Sequence, residues 1–241
     1  STTTAAAEHG ARRDVAARAL VPPALSRQID AAQGQAGFSL IQILVVITII
    51  GLLMTLAFGP VQNALEAGRV TKCKANLAGI GKSFIIYRNQ RNKGRWPDES
   101  GMRFLLTLVK HKQIEGKDTE VFLCPGTSDR NDTGPSGEDG SSYDDWDNLD
   151  SATISYAGRD QVNAPIKGGN ESEIIIASDD DEGRRNHKTI VNYLYADGSV
   201  RSFDMAIDGE ELLKDFPEYE KQGMPIGPDC PWEPLRVLKV D

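Results

Sequence analysis

Residues 38–58 read FSLIQILVVITIIGLLMTLAF, twenty-one positions without a formal charge. As a helix rising 1.5 Å per residue, a run of that length spans about 30 Å, the thickness of a bilayer's hydrocarbon core. Soluble cores seldom need so long an uncharged stretch. The run also starts too deep in the chain, and is too long, for a secretory h-region closed by a small-x-small cleavage site. These residues therefore predict a transmembrane helix, and the remaining chain must fold with one element committed to lipid or to another apolar surface.

The helical signal does not stop at the end of that run. Beyond Gly59-Pro60, the residues Cys73, Leu77, Ile80, Phe84 and Tyr87 recur at steps of four and three, which places them on one face of a helix. Lys72, Lys74, Lys82 and Arg88 fall off that stripe. The pattern predicts a helix of about fifty residues, apolar all round in its first half and amphipathic in its second, kinked at Gly59-Pro60 and ended by residues 92–97.

The two ends of the chain face different surroundings. Residues 1–37 carry four arginines against three acids, contain Pro22-Pro23 and show no lasting apolar period, so they read as a leader or flexible arm. The stretch after Trp96 is dense in Asp and Glu, and the whole chain has a net charge of −8 and a pI near 5.0. That acidity disfavours nucleic acid as a partner and suits a solvated exterior.

The remainder predicts a small α+β head. A helix over 101–111 has Met102, Leu105, Leu106 and Val109 in register. Strand-like runs follow at 120–124, 152–157, 173–177 and 189–196. Asp197-Gly198 between the Val191–Tyr195 and Val200–Phe203 runs is a strong hairpin signal, because Gly198 tolerates the positive φ that such turns require. Residues 127–150, rich in Gly, Ser and Asp, predict a long exposed loop. The organisation is thus an arm over 1–37, an apolar helix over 38–59, an amphipathic helix half over 60–95 and a head over 96–241.

At this point the residues resemble a family. Gly37-Phe38-Ser39-Leu40-Ile41 and the apolar run after it are similar to the cleavage and methylation segment of type IV pilins and type II secretion pseudopilins. Further on, Phe122-Leu123-Cys124-Pro125, and His187 followed ten residues later by Asp197-Gly198, resemble a group of pilin-like proteins with a Cys-Pro after a strand and a His-x9-Asp-Gly motif. The resemblance implies a pilin-like fold, with the long helix packed on a small antiparallel sheet. It implies a filament subunit rather than an enzyme, held in the inner membrane and then built into a periplasmic or extracellular fibre. Its implied partners are copies of itself, other pilin-like subunits, a prepilin peptidase, the assembly machinery and the bilayer. Gly37 and Phe38 would be the processed pair, with the new terminus at Phe38.

Two departures stand out. The family usually has Glu at the fifth mature position, whereas this chain has Gln42, which accepts a hydrogen bond but brings no charge to a neighbouring ammonium. The residues before Gly37 are Gln33-Gly34-Gln35-Ala36, without the usual adjacent cation. In assembly, Gln42, Gly51 and Pro60 are the helix positions of interest, Gly51 for close approach or local melting.

Other residues bear on chemistry. Cys73, Cys124 and Cys230 are too few and too far apart for a CxxC-type zinc site, and at most one intrachain bridge can form among them. Cys73 with Cys124 would tie helix to sheet, Cys230 is the competing partner, and Cys73 also suits a small apolar role. Asp179-Asp180-Asp181-Glu182 is the densest carboxylate run and a candidate Ca²⁺ site, although it lacks the alternating spacing of a dedicated loop; the alternative is a solvated charged face. His187 and Asp197 invite an acid–base reading, but no G-x-S-x-G, phosphate loop or H-E-x-x-H accompanies them, so a structural hydrogen bond across the hairpin is the expectation. Trp96, Trp146 and Trp232 are expected to pack or to anchor loops. The competing function is a single-pass anchor carrying a periplasmic binding domain that does not polymerise.

Overall fold

The computed structural model describes residues 38–129, 143, 146, 147, 149, 151–179 and 185–240. The arm with Gly37, most of the loop over 127–150, and the run Asp180, Asp181 and Glu182 lie outside the described residues. The chain is α+β. One long helix, α1 (Leu40–Gln90), precedes α2 (Met102–Lys110), and a five-stranded sheet is built from β1 (Ala157–Arg159), β2 (Ile175–Ser178), β3 (Ile190–Tyr195), β4 (Val200–Asp204) and β5 (Leu238–Lys239). Two short helices, α3 (Glu210–Asp215) and α4 (Glu233–Arg236), lie between β4 and β5. The chain divides into two compact units between Leu56 and Ala57.

In the first unit, residues 38–56 are all exposed. Their backbone is satisfied within the helix and their side chains are almost wholly apolar, which makes α1 long and apolar enough to cross a bilayer. The helix starts with half of a capping box: Gln42 Oε1 accepts the backbone N–H of Ser39 at 3.0 Å.

In the second unit, α1 buries Val70, Cys73, Asn76, Leu77, Ile80, Gly81, Phe84 and Tyr87, the stripe that the four-three spacing predicts. Burying each Leu, Ile or Phe of that stripe contributes about 1.5–3 kcal/mol. Phe84 packs against Phe104 of α2 and against Trp96, with ring centroids 4.9 and 5.7 Å away. Arg88 covers the outer face of Trp96 at 4.2 Å and pairs with Glu171 at 2.8 Å. Gly81 lets the helix approach the β3–β4 hairpin, since a Cβ there would stand 2.9 Å from Leu194 Cδ1 and 3.1 Å from Gly198 Cα.

All strand pairs are antiparallel, in the order β4-β3-β2-β1-β5. The alternation along β3 assigns its two faces. Leu194 joins the core around α1, while Val191 and Tyr195 join a second core with Met205, Met224, Leu235 and Leu238. The sheet is therefore buried on both sides, by α1 and α2 on one and by the C-terminal segment on the other. Trp232 belongs to the second core, 4.4 Å from Phe203 between ring centroids, and Lys110 stands 4.0 Å over the ring of Trp146.

Two expected strands take other forms. Residues 120–124 belong largely to a 3₁₀ helix, Gly116–Phe122, opened by Gly116 at φ 55° and tied by Thr119 Oγ1 donating to Gly116 O at 2.7 Å. Short apolar runs of this kind fit either period, and among the described residues one backbone bond, Ser155 N to Phe122 O, links this one to a neighbour. Residues 152–157 begin as a 3₁₀ turn, Ser151–Thr153, and become strand only at Ala157. Beyond Phe203, the edge strand β5 and the helices α3 and α4 had no sequence expectation at all.

Glycine and carboxylate chemistry fix the junction of α2 with the sheet. The first amides of α2 have no side-chain cap; Gly101 N and Met102 N donate instead to Arg159 O and Val240 O, at 3.0 and 2.7 Å. This contact is so close that a Cβ on Gly158 would run into Gly101 O and approach Leu105 Cγ to 3.1 Å. Just beyond β1, burial pushes the Asp160 carboxyl up, but the amides of Asn163 and Val162 and the Asn163 side chain all donate to it and hold it below the usual carboxylate range.

Two outcomes follow for the full chain in detergent, each measured by denaturant unfolding. Gly158→Ala should destabilise the head by about 2 kcal/mol, the scale of an overpacked core site, and an unchanged midpoint would show that the α2–β1 contact relaxes freely. Because Asp160 releases its proton more readily when folded, its contribution is complete above the unfolded value of about 4 and is lost as pH falls through the lower folded value. Asp160→Asn should therefore flatten the acid limb of the stability profile, leaving its shape near neutrality unchanged.

Candidate functional site

Two features outside ordinary core packing are candidates for function. The first is the apolar segment at the start of α1. Phe38, Leu40, Leu52, Met54 and Leu56 are each more than 60% exposed, an apolar surface far beyond what scattered surface side chains provide. Gly51 has open space around the position of a Cβ, and Pro60 stands inside α1 without ending it.

The second is a buried polar centre where α1, the Cys-Pro turn and the ends of β2 and β3 converge. Cys73 comes from the α1 stripe and Cys124 from the extended residues after the 3₁₀ helix; their Cα atoms are 5.6 Å apart and their sulfurs form a disulfide. Cys230 lies outside the bridge, buried in the second core. The bridge thus settles a choice that three thiols leave open in sequence.

His187 lies immediately against that bridge. Its Nε2 is 3.4 Å from Cys124 Sγ and 3.4 Å from Asp179 Oδ2, and its Nδ1 is 3.3 Å from Glu66 Oε1 without the alignment of a hydrogen bond. The imidazole is fully buried, and so is the Asp179 side chain. Asp179 is held by β3: its Oδ1 accepts Asn192 N at 2.7 Å, and its Oδ2 accepts Asn192 Nδ2. Asn192 in turn accepts the hydroxyl of Ser202, its cross-strand neighbour on β4. Asn186 donates to Ser155 O at 2.8 Å and to Asp179 O. Each polar group that β2 and β3 bury here is matched by a neighbour, which is the condition for keeping a polar centre inside a core.

Asn76 and Tyr156 extend the centre along α1. Asn76 Nδ2 donates to Leu123 O at 2.9 Å and lies 3.3 Å from the Tyr156 hydroxyl. Burial pushes that phenol far above its ordinary value, so it stays neutral.

The expected sites fare unevenly. Asp179 is a buried hydrogen-bonded carboxylate on the sheet, while its neighbours in the acidic run lie outside the described residues. His187 and Asp197 are not brought together: His187 meets the bridge, Glu66 and Asp179, whereas Asp197 Oδ1 accepts Ser199 N at 2.8 Å within its own turn, where Gly198 adopts φ 85°. Glu66, Asn76 and Asn192 were not singled out by sequence. Asn192 had a signal, as the polar residue in the strand run IVNYLY, and Glu66 is the first charge after the apolar helix. In its oxidised form the centre offers a disulfide and an imidazole, and two surface hollows reach its edge, one lined by Asn76, Cys124 and Asp129 and the other by Glu66, Asn186 and His187. The chain matches no protein-family model, no curated protein and no solved structure.

The bridge closes a sequence separation of 51 residues, which in the loop-closure picture corresponds to about 4 kcal/mol. Cys73→Ala/Cys124→Ala should lower the unfolding free energy by roughly that amount, read from denaturant curves of the full chain in detergent. A loss below about 1 kcal/mol would mean that packing alone already holds α1 on the sheet.

Proposed function

We propose that this chain is a structural subunit of a type IV pilus-like or secretion-pseudopilus filament, stored in a membrane and assembled through its N-terminal helix. The observation that carries the reading is the exposure of residues 38–56, an uncharged, almost wholly helical segment that no other described residue covers. Lipid is one cover; the same segment of neighbouring subunits is another. A helix whose backbone bonds are internal can exchange the first for the second at little cost, because the apolar contacts are replaced rather than lost.

The amphipathic half of α1 supports polymerisation over simple tethering. A tether needs only to reach the bilayer, whereas here the same helix is spliced into the head through the Cys73–Tyr87 stripe and the Cys73–Cys124 bridge. Gln42 fits this role in part: its side chain caps its own helix start at Ser39 and leaves no carboxylate to offer a neighbour's terminus. Such a subunit assembles by apolar packing, with Gly51 available for close helix approach. The His187 centre belongs to the rigidity of the head in this reading, and the subunit itself is not a catalyst.

Mass spectrometry of protein from native membranes and from sheared filaments tests the reading. The expected N-terminal residue is an N-methylated Phe38. Filament-bound material that retains residues ahead of Gly37 would remove prepilin processing from the account, and a mature chain found only in membranes, never in fibres, would favour the anchored binding domain.

A further inference from the structure

We propose that the dithiol form of this chain binds one zinc ion through Cys73, Cys124, His187 and Asp179, a site that excludes and is excluded by the disulfide. The inference stands apart from the filament reading and rests on the polar centre alone.

The donor set is unusual for a structural disulfide. The two sulfurs and the His187 nitrogen lie within 4.8 Å of one another and all three residues are buried. A fourth donor, Asp179 Oδ2, lies 3.4 Å from the same His187 Nε2 that is 3.4 Å from Cys124 Sγ. A tetrahedral zinc ion with bonds of about 2.3 Å to sulfur and 2.0–2.2 Å to nitrogen and oxygen requires donor separations of about 3.6 Å for S···N and 3.4 Å for N···O. The Cys124 Sγ···His187 Nε2 and His187 Nε2···Asp179 Oδ2 separations, 3.4 Å each, are already close to those values in the oxidised protein. The two sulfurs must part from bonding distance to about 3.8 Å, a shift of under 2 Å shared between two side chains, and Asp179, which lies outside the cluster of the sulfurs and His187, must close on them to become the fourth ligand.

A second observation points to a metal rather than to a packing accident. His187 Nδ1, the nitrogen turned away from the sulfurs, faces the Glu66 carboxylate at 3.3 Å. The pair is not aligned as a hydrogen bond in the oxidised protein; a small turn of the ring would let Nδ1–H donate to Glu66, the arrangement by which ligating histidines are oriented and made more basic. Asp179 is likewise held in place from behind by Asn192, which leaves Oδ2 a free lone pair toward His187. Two thiolates with an imidazole favour zinc over calcium, since hard cations require an oxygen shell.

The chemistry orders the two states. A newly made chain carries two thiols at this centre, Cys73 and Cys124, and zinc entering the site displaces both of their protons to solvent. Exchange with a small-molecule disulfide takes two electrons from the sulfurs and forms the S–S bond; the exchanged disulfide leaves as two thiols with two protons from solvent, and Zn²⁺ is released, so the head is clamped covalently where the ion had clamped it before. Reduction by a water-soluble phosphine reverses this: the phosphine takes the oxygen of one water and leaves its two hydrogens on the sulfurs.

The test uses the full chain in detergent, stripped with a chelator, reduced with a phosphine and titrated with Co²⁺ as a spectroscopic stand-in for zinc. The expected result is one ion per chain with a thiolate-to-cobalt charge-transfer band, bleached by Zn²⁺ and absent from the oxidised protein. His187→Gln should weaken binding about a hundred-fold or more, beyond the ~10–100-fold typical of losing an outer contact. Folding of that variant is checked by whether its Cys73–Cys124 bond re-forms on oxidation. Absence of the band from reduced wild type, equal binding by the oxidised protein, or unchanged affinity in a folded His187→Gln would each overturn the proposal. If His187→Gln does not fold, the wild-type comparison of reduced with oxidised protein decides it.

Discussion

Everything in the head is built on the apolar stripe of α1 between Val70 and Tyr87. The stripe gives α2, the 3₁₀ segment before Cys124 and the inner face of the sheet a common surface, and Leu77, Ile80 and Phe84 on it are completely buried. Without that surface β1 and β2, only three and four residues long, would have one face unsupported, and short sheets with one bare face are marginal in water. Gly81 and Gly198 matter for the same reason: they are small where the helix and the hairpin meet, so the stripe can approach the sheet closely enough to exclude water.

The polar centre sits at one end of this contact, and its position explains its composition. Where α1 passes the ends of β2 and β3, backbone groups leave the regular ladder and need partners. Asp179, Asn186 and Asn192 supply them by bonding across strands, and Ser202 completes the chain of bonds on β4. Burying a carboxylate costs several kcal/mol unless donors surround it, so this group of side chains stands or falls together. The disulfide then fixes α1 at that point, adding a covalent link where apolar contact alone would allow sliding.

Much of this was readable from one sequence. The uncharged run, its amphipathic continuation, α2 and the Asp197-Gly198 hairpin each rest on local physics: a period of 3.6, a length, a turn residue. The strand expected over 120–124 failed because Glu120-Val121-Phe122-Leu123-Cys124 is too short for its period to separate strand from 3₁₀ turn, and Pro125 halts either. The edge strand β5 escaped notice because Leu238-Lys239 is two residues long and becomes a strand only through its pairing with Gly158 and Arg159.

The site divides along the same line. Sequence by itself determined that a long uncharged helix needs an apolar surface to cover it, since charge and length are properties of the run alone. It also identified Cys73, Cys124, Asp179 and His187 as residues with chemistry to offer, but in three unrelated proposals. Only the tertiary structure decided that they belong to one centre, that Cys230 stands apart, and that His187 turns to Glu66 and Asp179 rather than to Asp197. Those choices depend chiefly on contacts between residues far apart in the chain, such as Cys73 with Cys124, 51 positions apart, and Glu66 with His187, more than 100 apart, and no local period or spacing encodes such distances.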